Sequence, residues 1–297
     1  MKYVVVVPAR NEEENIERLL RSLAAQSLLP AELIVVDDGS TDQTARRVLA
    51  FAKRHPWIHL HRTKKQEPRA IGAKVVAAFQ QGYDQIKAEH HFLVKLDADL
   101  ELPPNYFERI AKHFSDNPRL GIAGGSILVQ KNGRWVYENF SDKDHVKGAF
   151  KAYRKACYQA IGGLRLSIGW DTADELLARY HGWEVLVDTR LNVKHHRPLG
   201  TETGSLRTRF LIGRGMYRLR YGFWISLISA IKAGYLNRPY GLTGLAVLCG
   251  WLVALFQRDQ PIVNKDEGQF IRQWRWNRMK EKLLRKKKKN TPHKAPQ

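Results

Sequence analysis

The chain has 297 residues, 43% of them hydrophobic and 27% charged, which suffices for one large domain or a domain with an appendage and excludes a disordered or fibrous protein. Its two cysteines, Cys157 and Cys249, lie far apart and outside any C-x-x-C pattern, so neither a disulfide framework nor a zinc site is implied and a reducing, cytosolic setting fits. The net charge of +21 is uneven: from Leu206 onward 20 Lys and Arg stand against 4 acids, so the last third is drawn to polyanions, either nucleic-acid phosphates or anionic lipid head groups.

The opening MKYVVVVPARNEEEN has one lysine and an apolar run too short for a signal peptide, so no export is expected. Tyr3 to Pro8 is a β-branched strand run. Asn11 to Ala25 repeats Ile16, Leu19, Leu20 and Leu23 at helical spacing, and Leu33 to Val36 is a second strand run ending in Asp37-Asp38-Gly39-Ser40. Thr41 to Ala52 follows as a helix capped by Ser40 or Thr41, Trp57 to Leu60 as a strand, Ala70 to Gln81 as a helix stopped by Gly82, and His91 to Leu96 as a strand. This alternation predicts an α/β domain with a mostly parallel sheet, whose ligands bind beyond the carboxyl ends of the strands.

Further on, Asn105 to Phe114 predicts a helix. Gly121 to Ala123, Ser126 to Gln130 and Trp135 to Glu138 are short strand candidates, followed by a stretch rich in glycine and aromatics. Gly169 to Trp183 reads as a helix with Leu176, Leu177 and Tyr180 on one face and acids in its first turn, where they also suit the helix dipole. Strands over Val185 to Asp188 and Leu191 to Lys194 then lead to His195-His196-Arg197-Pro198.

The polar residues just after each strand are therefore the ones that carry chemistry: Pro8 to Glu12, Asp37-Asp38-Gly39-Ser40 and Asp97-Ala98-Asp99. A single Asp after a strand is commonly a cap or turn residue, but charged clusters at three equivalent strand ends point to a site. Asp97 and Asp99 offer two hard oxygen ligands to a divalent cation that also binds substrate phosphates.

Taken together, VPARNEEENIERLLRSL, LIVVDDGSTDQT and LVKLDADLELPP resemble, in order and spacing, the opening of family 2 glycosyltransferases with the GT-A fold. The resemblance implies that Pro8, Ala9, Arg10, Glu12, Asp37 and Asp38 hold the donor nucleotide. It further implies that Asp97 and Asp99 bind its diphosphate through Mn²⁺ or Mg²⁺. RAIGAKVVAAF sits where the family has a donor-contacting helix, which makes Arg69 and Lys74 candidates, with solvated helix charges as the alternative. The family's catalytic base lies in an E-D motif at a helix start. This chain has no such dipeptide, and its candidates are Asp174 first, then Asp171, then Glu175. A base there deprotonates the acceptor hydroxyl on the face opposite the leaving group, which implies inversion. His195 and His196 lie where relatives place a histidine near the metal or diphosphate, and Arg197 is placed to neutralise the diphosphate; for either histidine a structural role is the alternative.

The implied function is a non-processive, inverting glycosyltransferase using a nucleotide-diphosphate-sugar donor and a hydroxyl acceptor, lipid-linked or part of a cell-envelope polysaccharide. The expected organisation is a catalytic domain over 1–200, a helical extension over 201–258 and a basic tail over 259–297. Gly222 to Ile228 and the uncharged run Tyr240 to Phe256, with the basic segment Arg272 to Lys289, predict attachment to the cytoplasmic face of the membrane, peripheral or shallowly inserted. The 17-residue run does not distinguish a span, an interfacial helix and a buried helix. The alternatives are a basic nucleic-acid-binding protein, suggested by RQWRWNR, and a catalytically inactive membrane adaptor on the same fold. Acids at the strand ends oppose the first, so no nucleic-acid partner is expected, and the intact Asp97 and Asp99 oppose the second.

Overall fold

The computed structural model describes residues 1–63, 73–138, 145–197 and 206–290. The chain divides into two units, Met1–Thr201 and Glu202–Gln297.

In the first unit, β1 (Tyr3–Ala9), β2 (Glu32–Asp37), β3 (Ile58–Arg62) and β4 (Phe92–Leu96) alternate with α1 (Ile16–Ala24), α2 (Thr44–Ala52) and α3 (Ala73–Tyr83). These four strands pair in parallel in the order β3-β2-β1-β4. Helices on both faces explain why Val4, Val5, Val6 and Val7 are all fully buried instead of alternating. Tyr3 stacks on Phe92 and Phe107 at 5.0 and 4.6 Å between centroids and anchors the sheet to α4 (Tyr106–Asp116). Gly82 is not a helix stop but lies inside α3: an added Cβ would meet Val36 and Val6 side chains at 2.5 and 2.6 Å, so only glycine lets the helix lie this close to the sheet.

Beyond β4 the sheet turns mixed. β5 (Leu100–Glu101), β6 (Leu120–Lys131), β7 (Arg134–Tyr137), β8 (Phe150–Arg154) and β9 (Glu184–His195) continue the order as β4-β8-β6-β9-β5, with β7 paired to β6. β8 runs antiparallel to both β4 and β6, while β6 and β9 are parallel. The two short strands expected either side of Gly124-Gly125 are one strand, β6, whose register shifts at that point. A Cβ on Gly125 would lie 2.2 Å from the Leu191 carbonyl oxygen, so the glycines mark a bulge and a close approach, not a break. β9 is likewise continuous across the expected gap. β8 falls in the stretch where the sequence showed only glycines and aromatics. α5 (Lys155–Ala160) and α6 (Trp170–Tyr180) complete the unit.

The second unit consists of α7 (Leu206–Arg218), α8 (Phe223–Leu236), α9 (Leu242–Phe256) and α10 (Lys265–Asn290). Glycines set its packing: a Cβ on Gly213 would lie 1.9 Å from the Val247 carbonyl oxygen, and one on Gly250 1.9 Å from that of Phe210. Arg214 clamps Asp259 with Nη2–Oδ1 at 2.6 Å and Nε–Oδ2 at 2.9 Å.

Candidate active site

The loops after β1 and β2 are tied to one another. The Ser40 hydroxyl accepts from the Asn11 amide at 3.0 Å, and Asn11 Oδ1 accepts from the Thr41 amide at 2.9 Å. Asn11 sits at φ 53, a left-handed conformation that asparagine tolerates better than most residues. Asp37 is buried and uses Oδ1 to accept from the Ser40 amide at 2.8 Å, closing the turn at Gly39, whose φ is 76. Asp38 accepts from the Thr63 hydroxyl at 2.9 Å. Pro8 and Ala9 end β1, Arg10 is exposed, and Lys74 is exposed on α3, while Arg69 lies outside the described residues.

Glu12 reaches from this loop to the D-x-D acids. Its carboxylate accepts from Asn15 at 3.2 Å and from the Arg197 guanidinium, whose Nε in turn lies 3.6 Å from Asp99 Oδ2. His195 Nε2 pairs with the same Asp99 oxygen at 3.0 Å, positioned by the backbone pairing of Leu100 with His195. At Asp99, desolvation is outweighed by the hydrogen bond and charge of His195 and by Arg197, so its carboxyl is held below the usual carboxylate range.

Asp97, one residue beyond β4, accepts from the ammonium of Lys95, which also donates to the Gly148 carbonyl at 2.9 Å. His196 does not join this group: its Nε2 meets Glu101 Oε2 at 2.9 Å and its ring lies 5.2 Å from that of Trp135. The four residues expected at a metal therefore do not form one ligand set, and among the described residues no three His, Cys, Asp or Glu side chains gather as a ready metal cage. Asp99 Oδ1, however, is buried without a hydrogen-bond partner. An uncommitted buried carboxylate oxygen beside Asp97 fits a cation whose remaining ligands come from substrate phosphates.

A second cluster forms around the start of α6. Lys151, fully buried on β8, bonds both oxygens of Asp174 at 2.8 and 3.1 Å, pairs with Glu175 Oε1 at 3.2 Å and donates to the Asp171 carbonyl. The Tyr153 hydroxyl donates to Asp174 Oδ2 at 2.5 Å. Asp174 is 1% exposed with both oxygens engaged, and burial raises its pKa. Glu175 is 5% exposed; its Oε1 accepts from the Val146 amide at 2.8 Å and faces His145 Nδ1 at 3.1 Å. Asp171 differs: its side chain is about a third exposed, and His145 Nε2 stands 3.6 Å from its Oδ2. Desolvation of Asp171 is outweighed by His145 and by the charge of Lys151, which pull its carboxyl down to about 2. Burial of His145 is outweighed in turn by Asp171 and Glu175, which raise its pKa to about 9.

Of the three acids expected at the base, the first choice, Asp174, is buried with both oxygens bonded to Lys151 and Tyr153, Glu175 is buried as well, and Asp171 is the one of the three whose side chain is partly exposed. Lys95 and Lys151 face each other across β4 and β8, and their ammonium groups lie 5.3 and 6.0 Å from the Trp170 ring. A Cβ on Gly148 would lie 3.0 Å from Asp171 Cβ, so the glycine whose carbonyl holds Lys95 abuts Asp171. Asp97 and Asp171 flank this Lys95–Gly148 bridge. Sequence reasoning missed Lys95, His145, Lys151, Tyr153 and Trp170. The one available signal was a lysine in each of the strand-like runs FLVKL and FKAYR, where an ammonium buried between sheet faces needs acidic partners.

A sheet with acidic pairs beyond its strand ends, continued by a mixed half carrying a second acidic cluster, defines the GT-A class of nucleotide-sugar-binding folds. The chain belongs to glycosyl transferase family 2, whose family model matches residues 4–187. It is 28% identical over 199 residues to the dolichol-phosphate mannosyltransferase of Pyrococcus furiosus, covering 60% of this chain and 53% of that protein. It is 37% identical over 114 residues to the undecaprenyl-phosphate 4-deoxy-4-formamido-L-arabinose transferase of Photorhabdus laumondii, covering 37% of this chain and 33% of that one. The chain thus spans about half or less of these relatives' length. Among solved structures, the mannosyltransferase PcManGT from Pyrobaculum calidifontis, in complex with GDP-Man and Mn²⁺, superposes with a TM-score of 0.55 at 17% identity, covering 95% of this chain and 87% of that one.

Proposed function

We propose that this chain is an inverting, non-processive glycosyltransferase that moves a sugar from a nucleotide-diphosphate donor to a lipid-phosphate acceptor at the cytoplasmic face of a membrane. The observation that carries the reading is the pair of acidic centres, Asp97 with Asp99 and Asp171, flanking Lys95 and Gly148. The acceptor class is supported by the two relatives, whose names specify dolichol-phosphate and undecaprenyl-phosphate.

In this reading the loops at Pro8 to Glu12 and at Asp37 and Asp38 receive the nucleoside. Asp99, with Asp97 and the adjacent His195, would hold Mn²⁺ or Mg²⁺, a Lewis acid that neutralises the diphosphate leaving group when bound. Arg197 adds a fixed positive charge beside Asp99. Asp171 is ionised throughout the neutral range, so where the attacking acceptor oxygen carries a proton, Asp171 accepts its hydrogen bond and receives that proton as the bond to the sugar forms. His145 holds the Asp171 carboxylate in place, and Lys151 fixes the helix that presents it.

The test is a donor screen with polyprenyl phosphate in detergent, using GDP-, UDP- and TDP-sugars with Mn²⁺ or Mg²⁺ and reading both the glycolipid product and nucleoside-diphosphate release. Formation of a polyprenyl-phosphate sugar of inverted anomeric configuration is expected with one donor. Product of retained configuration, or donor turnover that ignores the lipid while using a sugar hydroxyl acceptor, would remove the reading.

A further inference from the structure

We propose that α8 and α9 form a membrane-docking hairpin that lies in the plane of one leaflet of an anionic bilayer, with the outer faces of both helices in the lipid. This deepens the lipid-phosphate reading, on which its purpose rests, by naming the surface that meets the lipid.

On α8, Trp224, Ile228, Ile231 and Tyr235 are spaced by four, three and four residues and so share one narrow stripe. They are 65, 41, 65 and 81% exposed, large apolar and aromatic groups that water does not favour. On α9 the buried face is mostly small residues, with Val247 and Trp251 as its large members. Thr243, Gly244, Gly250 and Ala254 are buried, while Leu242, Leu245 and Phe256 are turned outward at 51, 56 and 81% exposure. Helices in water put their large apolar groups inside. A packing face made mainly of small residues, with leucines and a phenylalanine left outside, suits a helix whose surrounding solvent is itself apolar. The two helices are held together tightly: a Cβ on Gly244 would lie 2.4 Å from the Ala230 carbonyl oxygen, and the Thr243 hydroxyl donates to the Ala233 carbonyl at 3.0 Å. The stripes are therefore features of one rigid hairpin.

Charge selects the occupant. The hairpin, residues 222–256, has two cations, Lys232 and Arg238, and no Asp or Glu. Lys232 is exposed on α8, and Arg238, in the turn between the helices, lies over the Tyr240 ring at 5.7 Å. A second copy of the same face would bring cation against cation, whereas an anionic leaflet complements it. Trp224, Tyr235 and Tyr240 are the aromatic types that settle at the head-group level. The depth follows from length: the 15 residues of α9 rise about 22 Å at about 1.5 Å per residue, short of a hydrocarbon core of about 30 Å. No described helix is long and apolar enough to cross a membrane. An in-plane seat in one leaflet satisfies both facts.

The test is co-sedimentation of the full-length chain with vesicles of phosphatidylcholine containing phosphatidylglycerol, without donor or acceptor. The wild-type chain is expected to pellet with the vesicles and to do so partly even in about 1 M salt, where screening leaves the apolar contribution. The double variant Ile231→Glu, Leu245→Glu should partition roughly tenfold more weakly per substitution. Its circular dichroism and its binding of nucleoside diphosphate should be unchanged, which separates lost docking from lost folding. Three results would overturn the proposal: a variant that pellets like the wild type, wild-type binding that vanishes completely in salt, or a lipid-free dimer that the double variant dissolves. Because no sugar donor is present, failure here leaves the transferase reading intact, and a negative donor screen leaves docking intact.

Discussion

The two acidic clusters of the catalytic unit are built from the same residue type to opposite ends. Around Asp97 and Asp99 the protein leaves capacity unspent: Asp99 Oδ1 is buried with no partner. Around α6 it leaves almost none, since Lys151, Tyr153, His145 and the Val146 amide take up Asp174 and Glu175, and of the three acids only Asp171 has a partly exposed side chain. An unsatisfied buried carboxylate is costly unless something arrives to bind it. A satisfied one stiffens the fold around it. In the function proposed above, the contrast would separate acids that receive a ligand from acids that hold the element carrying Asp171.

The largest expected effect comes from emptying the first cluster. Asp99→Ala, or chelation with EDTA, should lower transfer by about 10³-fold or more, because a Lewis-acid cation supplies several kcal/mol of charge stabilisation. The thermal midpoint of Asp99→Ala should stay close to that of the wild type, since the substitution removes the cost of burying a carboxylate with one unpartnered oxygen together with its His195 contact. Unchanged transfer after EDTA would mean that Lys95 and Arg197 suffice for the diphosphate.

The second cluster should split by residue. Asp171→Asn is expected to lose about 10²–10⁴ in transfer rate while nucleotide affinity and stability persist. Asp174→Asn should instead cost about 3 kcal/mol of stability, measured by denaturant titration, because it removes the anion from a fully buried lysine. If Asp174→Asn folds normally and alone abolishes transfer, the assignments of the two acids exchange.

A pH titration sharpens the same division. His145 has its pKa raised from 6.5 to about 9 by Asp171 and Glu175, so its contribution to stability is fully present below pH 6.5 and is lost as pH rises through about 9. The loss amounts to at most about 3 kcal/mol between those values. His145→Gln should flatten the stability profile over that window, and an unchanged profile would place the titrating group elsewhere. The smallest effect belongs to the nucleotide loops: Asn11→Ala removes one hydrogen bond to the Thr41 amide and should cost about 1 kcal/mol, read as a modest loss in donor affinity.

Much of this was legible because local chemistry and global fold agree. The buried run Tyr3 to Val7 and the helical spacing of Ile16, Leu19, Leu20 and Leu23 signal their elements in a few consecutive residues, and the acidic pairs at Asp37 and Asp97 mark the strand ends. What stayed hidden depends on partners far along the chain. His195 meets Asp99 across 96 residues, and Lys151 meets Asp174 across 23. The sequence could not separate Asp171 from Asp174 by exposure, because helix periodicity puts both near the start of α6 and the burial of Asp174 comes from β8, a strand without an alternating pattern.

By itself the sequence determined the α/β alternation, the strand-end acids and the family, because β-branched runs, turn residues and paired carboxylates act over neighbouring positions. Only the tertiary structure decided that Asp174 is a buried counter-ion, that His196 belongs to Glu101, and that α9 turns its leucines outward. Each of these depends on which face of an element its neighbours cover, and that is fixed by packing between segments distant in the chain.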